Sequence, residues 1–96
     1  MTNQFGVRIK ELREKQNLFL RQVAAQLDMD TALLSKIEKG TRQLKKEQLS
    51  PLAKILKANL NELHTLWLAD QLLHLVKDEP NACEALKTVS KTIKNK

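Results

Sequence analysis

The stretch Leu18-Phe19-Leu20-Arg21-Gln22-Val23-Ala24-Ala25-Gln26-Leu27-Asp28-Met29-Asp30-Thr31-Ala32-Leu33-Leu34-Ser35-Lys36-Ile37-Glu38-Lys39-Gly40 decides the fold. Leu20, Val23, Ala24 and Leu27 recur at i, i+3, i+4 and i+7, the period of one helical face. Ala24 and Ala25 are small, so another helix can approach closely. Asp28-Met29-Asp30 breaks the period, and Asp30 is a residue type that caps a helix through its side-chain oxygen, which predicts a new start at Thr31. Leu34 and Ile37 mark the buried side of that second helix. Gly40 ends it, because glycine takes up the left-handed geometry of a helix C-terminus without steric cost.

Two short helices joined by a tight turn, the second closed by glycine, have the layout of a helix-turn-helix. In that motif the second helix lies in the major groove of DNA and the first crosses the backbone. A generic αα-hairpin has nearly the same spacing, so periodicity by itself leaves nucleic-acid binding open.

Working outward, Phe5, Ile9 and Leu12 predict a helix from about Asn3 to Gln16, with Asn17 as its left-handed stop. Downstream, Gly40-Thr41-Arg42-Gln43-Leu44-Lys45-Lys46 is a charged loop. A fourth helix is expected from near Lys46, burying Leu49, Leu52, Ala53 and Leu56, with a bend where Pro51 removes a donor about one turn in. Asn59 or Asn61 can cap a fifth helix reaching roughly Lys77. It carries Leu63, Leu66, Trp67, Leu68, Leu72, Leu73, Leu75 and Val76, so it is apolar nearly all round and needs cover on more than one side. Asp78-Glu79-Pro80 marks a boundary, with Pro80 suited to the first position of a sixth helix. Ala82, Leu86, Val89 and Ile93 form that helix's apolar stripe.

Composition narrows the class. The 96 residues are 42% hydrophobic and 29% charged, which fits one ordinary globular domain. Two glycines, two prolines and 3% aromatics leave little for β-structure, so an all-α fold is expected. No apolar run approaches the ~18–20 residues that span a bilayer. Cys83 stands alone and no secretory signal precedes the first helix, which points to a cytoplasmic protein without a disulfide. Cys83 itself is expected to be buried or half-buried, and Trp67 to lie in the core. His64 and His74, on different faces of one helix, cannot close a metal site with that cysteine. With no catalytic constellation either, neither an enzyme, a metal nor a cofactor is expected. The net charge of +6 favours a polyanionic partner. Residues 1–46 hold ten Lys/Arg against five Asp/Glu, and residues 47–75 hold two against three, so the basic excess travels with the helix pair.

Four segments in order carry a family resemblance: Ile9-Lys10-Glu11-Leu12-Arg13, Leu20-Arg21-Gln22-Val23-Ala24, Leu33-Leu34-Ser35-Lys36-Ile37-Glu38-Lys39-Gly40 and Leu52-Ala53-Lys54-Ile55-Leu56. Over residues from about 5 to 66 the chain resembles the Xre/Cro-type helix-turn-helix transcriptional regulators, among them small stand-alone members such as restriction–modification controller proteins. The resemblance implies a five-helix, lambda-repressor-like DNA-binding domain over residues 1–66. It places Thr31, Ala32, Leu33, Ser35 and Lys36 towards base edges, where Lys36 can donate to guanine O6/N7 and Ala32 or the Thr31 methyl can touch a thymine methyl. It places Arg21, Lys39, Thr41, Arg42, Lys45 and Lys46 along phosphates, and pairs Arg13 with Glu38 as a structural ion pair. Blander roles stand beside these: a solvated helix face, a solvated basic loop, Ser35 bonding back within its helix, Leu33 packing on the loop. At Leu20 the chain departs from the family, many members of which carry a phosphate-gripping Gln there.

Residues 67–96 exceed what that domain needs and are expected to form a helical dimerisation extension continuous with it. Leu68, Leu72, Leu75, Val76, Leu86 and Val89 are its candidate dimer interface. A two-fold homodimer sets recognition helices ~34 Å apart in successive major grooves. The expected partners are double-stranded DNA, a second copy of the chain, and a partner protein at the C-terminal helices. The expected function is a sequence-specific regulator, a dimeric repressor or autoregulator reading a palindromic operator through residues 31–39. The alternative is an antitoxin-like or adaptor module that keeps the fold without strong operator binding, as the less polar Leu20, Ala32 and Leu33 suggest.

Overall fold

A computed structural model describes residues 3–95. The elements are α1 (Gln4–Lys15), α2 (Leu20–Gln26), α3 (Thr31–Lys39), a 3-10 turn (Lys46–Gln48), α4 (Leu49–Leu56), α5 (Leu60–Val76) and α6 (Ala82–Lys94), with no strand among the described residues. The fold is all-α. α1 packs against both α3 and α5, α2 against α3, and α4 against α5. Between them lie Phe5, Ile9, Leu12, Val23, Ala24, Leu27, Leu34, Ile37, Leu49, Leu52, Ala53, Leu56 and Leu63. Fully burying one Leu or Ile side chain is worth about 1.5–3 kcal/mol, so this cluster dominates the folding free energy.

The core has one member that periodicity does not announce. Leu44 sits in the charged loop, yet its side chain is buried in the same cluster. Its carbonyl accepts a hydrogen bond from Trp67 Nε1 at 2.7 Å, so the loop is pinned to α5 by a side chain and a backbone group together. Trp67 is half-buried, packed against the core with its polar edge satisfied.

Several local expectations need correction. Asp30 stands at the N-cap of α3, but its side chain accepts no capping hydrogen bond. Pro51 does not interrupt a longer helix: the 3-10 turn precedes α4, which places Pro51 in the first turn of α4, where backbone N–H groups lack helical acceptors anyway. The cap of α5 is as expected, the first of its two candidates: the Asn59 side chain accepts from the Glu62 N–H at 3.0 Å. α6 begins at Ala82 with Asn81 as its cap, leaving Pro80 in the preceding turn. Cys83 is exposed, because no residue of α6 is buried. Asn17 does lie in the left-handed region after α1, at φ 59°, and Asp28 (φ 55°) and Lys57 (φ 54°) do the same after α2 and α4.

The two glycines and Asn3 lock α1 to the end of α3. Asn3 Nδ2 donates to the Glu38 carbonyl at 2.8 Å, while its Oδ1 accepts from the Gly6 N–H at 3.2 Å. A Cβ on Gly6 would overlap the Glu38 carbonyl oxygen, a backbone atom that cannot swing away. Gly40 has φ 85° and abuts Asn3, so it needs both the left-handed conformation and the missing side chain. Gly6→Ala is therefore expected to force α1 and α3 apart and cost about 1–3 kcal/mol in urea denaturation. A wild-type midpoint for Gly6→Ala would contradict this close approach.

Candidate nucleic-acid interface

Arg13 sits where α1, α3 and the entry to α2 meet. Its Nε donates to Glu38 Oε2 at 2.7 Å and its Nη2 to Glu38 Oε1 at 3.2 Å, a two-pronged pair between α1 and α3. Its Nη1 donates to the Leu18 carbonyl at 2.8 Å, which fixes the chain just before α2. One buried guanidinium thus sets the positions of both helices of the motif.

Above this junction α3 turns Thr31, Ala32, Lys36 and Lys39 to solvent. Leu34 and Ile37 hold the opposite face in the core. Ser35 is half-exposed, and Leu33 is half-buried and packs against the core, so it presents less surface outward than its neighbours. Gly40 and Thr41 close the helix: the Thr41 N–H and its Oγ1 both donate to the Lys36 carbonyl, at 3.0 and 3.2 Å. Arg42, Lys45 and Lys46 follow on the exposed loop. The loop's end is tied by the Lys45 N–H donating to Gln48 Oε1 at 3.1 Å. Arg21, in the first turn of α2, lies over the ring of Phe19, 4.8 Å from its centroid.

Charge is sorted within this surface. Glu38 is the one acid between Lys36 and Lys46, and it points inward to Arg13. What remains outward is Lys36, Lys39, Arg42, Lys45 and Lys46, a cationic rim around the end of α3. Among the described residues no cluster of three or more His, Cys, Asp or Glu is placed to hold a metal ion. None of the described helices is long and apolar enough to cross a membrane.

At the other end, Leu68, Leu72, Leu75, Leu86 and Val89 are exposed and Val76 is half-buried. α5 therefore carries a second apolar stripe that faces away from the core, and α6 exposes its own. Between the Lys39–Leu44 loop and the second half of α5 lies a cleft of about 530 Å³, walled in part by Phe5, Leu44, Trp67 and Leu73. His64 packs against Trp67, ring centroids 5.8 Å apart.

Two contributors were not read from the sequence. Asp70 on α5 accepts from the Gln4 and Phe5 N–H groups at 3.2 and 2.8 Å, capping α1 across the whole domain. Its only signal was being the sole acid in an otherwise apolar helical run after Glu62. Phe19 is the other: a bulky aromatic at a capping position.

A tight pair of helices with an exposed second helix and a cationic rim at its end is the architecture of a helix-turn-helix DNA-binding regulator. The helix-turn-helix domain family model matches residues 4–66, and the chain belongs to that family. No curated protein and no solved structure matches the chain.

Proposed function

We propose that this chain is a sequence-specific transcriptional regulator of the Xre/Cro type that binds a palindromic operator as a dimer and acts as a repressor or autoregulator. The observation that carries this reading is the inward turn of Glu38. It leaves the outer face of α3 and the following loop positive without interruption, next to Thr31, Ala32 and Lys36 at base-reading positions. Lys36 donates to a guanine edge, Ala32 and the Thr31 methyl meet thymine methyls, and Ser35 and Leu33 line the same surface. Arg21, Lys39, Thr41, Arg42, Lys45 and Lys46 engage phosphates, which position the protein without reading sequence. The exposed stripes of α5 and α6 support dimerisation, with Leu68, Leu72, Leu75, Val76, Leu86 and Val89 meeting their copies across a two-fold axis.

Fluorescence anisotropy on DNA from upstream of the protein's own gene, against a scrambled duplex, tests this reading. Lys36→Ala is expected to reduce the preference for the operator by about 1–3 kcal/mol at one base position, while Arg42→Ala weakens both duplexes alike. Equal losses on both duplexes for both variants would remove Lys36 from the base-reading set.

A second reading is favoured by those same apolar stripes and the adjoining cleft: a module that docks a partner protein through α5 and α6, with weak operator binding. Exposed apolar area of this kind marks interaction surfaces in soluble proteins. The cationic rim argues against it as the sole function, because an apolar partner has no use for five clustered cations.

A further inference from the structure

We propose that Phe19 is a positioning residue for DNA binding: its ring holds the Arg21 guanidinium as a preset clamp for one phosphate of the sugar–phosphate backbone. The inference rests on the DNA-binding reading above and adds to it a residue and a mode of contact. Phe19 occupies the N-cap of α2, a position where Ser, Thr, Asp and Asn are favoured because their oxygens accept a first-turn N–H. A phenyl ring accepts nothing there, and α2 has no side-chain cap from this residue. The Gln22 side chain reaches back and accepts from the Phe19 N–H at 2.7 Å, which fixes the backbone but leaves the ring unused by the fold. Phe19 as a residue is 59% exposed, whereas Phe5 is buried and Trp67 half-buried. Phe19 therefore forgoes a cap and exposes apolar surface with no gain in packing. Departures of this kind from local preference mark functional positions.

The ring's contact is with Arg21, whose guanidinium carbon lies 4.8 Å from its centroid, well within cation–π range. Arg21 is the only charged residue of α2 and has no carboxylate partner among the described residues. Stacking uses the face of the guanidinium and leaves its N–H edge free to meet phosphate oxygens. It also holds a long, flexible side chain in place before DNA arrives, which lowers the ordering cost of binding. Leu20 beside it is half-buried against the core and its side chain offers no donor. The whole unit is anchored, because Arg13 grips the Leu18 carbonyl immediately before it and Glu38 of α3 on its other side. In a helix-turn-helix the first helix crosses the DNA backbone, so the outward groups of its first turn face sugar and phosphate. The ring edge then meets deoxyribose and the guanidinium meets phosphate.

The test uses Phe19→Ser, which restores a favoured cap and so leaves thermal stability unchanged or raised. Affinity for a random-sequence duplex suffices, since a phosphate clamp is indifferent to sequence. Phe19→Ser and Arg21→Ala should each weaken binding about three- to tenfold, and the double variant should bind no worse than Arg21→Ala alone. Phe19→Tyr should retain wild-type affinity. The clamp is overturned if Phe19→Ser binds like wild type, or if it loses the same factor with Arg21 already absent. A wild-type chain that binds no duplex at any salt concentration overturns the DNA-binding reading and the clamp with it. Wild-type binding with Phe19→Ser silent removes the clamp alone.

Discussion

Replacing Arg13 with methionine is expected to destabilise the protein by about 3–5 kcal/mol, a large share of the roughly 5–15 kcal/mol that holds a small domain folded. Arg13 and Glu38 are 9% and 8% exposed, so neither charge can fall back on water when its partner is gone. Methionine fills much of the arginine's volume, which keeps the cost electrostatic rather than that of a cavity. The loss is twofold: Glu38 keeps a buried carboxylate with two empty acceptors, and the Leu18 carbonyl loses its donor. Glu38→Leu should cost a comparable amount by orphaning the guanidinium. The double variant Arg13→Met/Glu38→Leu should recover most of the loss, because an apolar pair of similar volume replaces a buried ion pair at little net cost. It should not recover all of it: the Leu18 carbonyl stays unpaired, worth about 1–3 kcal/mol. Urea denaturation of the four proteins gives the coupling energy directly. Strictly additive single effects would mean that the two charges do not act on each other, and that the 2.7 Å contact adds nothing to stability.

That pair also shows what a sequence can and cannot disclose. α3 was legible to the residue, Thr31–Lys39, because Leu34 and Ile37 set its face and Gly40 its end, all within ten positions. The outward display of Thr31, Ala32 and Lys36 follows from the same period. Leu33 was harder, since the apolar face of α3 is wide enough to half-bury it. Leu44 was not legible as core: flanked by Arg42, Gln43, Lys45 and Lys46 it belongs to no period, and only the approach of α5 gives it a pocket. Asp70 and Asn3 act across long separations, reaching the N-terminus of α1 and the Glu38 carbonyl, and nothing local to either residue announces such a partner. The sequence alone predicts a bend at Pro51 and a helix start at Pro80; Pro51 lies instead in the first turn of α4 and Pro80 in the turn ahead of α6, because proline is tolerated in a helix's first turn or just ahead of it. Phe19 is not legible as a surface residue, because an apolar side chain beside Leu18 and Leu20 looks like core until its exposure is known. For α5 the surplus of apolar residues was plain from the start, and the structure shows where it goes: Leu68, Leu72 and Leu75 on a face the fold itself does not cover.

Between about 50 and 200 mM salt the affinity for DNA is expected to fall by about four orders of magnitude. The charged phosphate ligands proposed for each protomer are Arg21, Lys39, Arg42, Lys45 and Lys46, all exposed; with about four of the five engaged on each side, the proposed dimer neutralises about eight phosphates and releases as many counterions. At ~0.9 per phosphate, the log–log slope is near −7. A monomer bringing four such cations would give a slope near −3.6 by the same rule, so the slope reports the number of chains on the DNA as well as the nature of the contact. Sedimentation at the concentrations used for binding supplies the independent count. A dimer in solution with a slope near −7 fits two protomers in successive grooves; a monomer with half that slope keeps the DNA interface and discards the role proposed for the α5 and α6 stripes. A nearly flat plot has a different consequence. Binding without counterion release is binding through apolar surface, and the only extensive exposed apolar faces described are those of α5 and α6. The chain would then be a docking module built on a helix-turn-helix frame, and the cationic rim would be left without a partner to explain it.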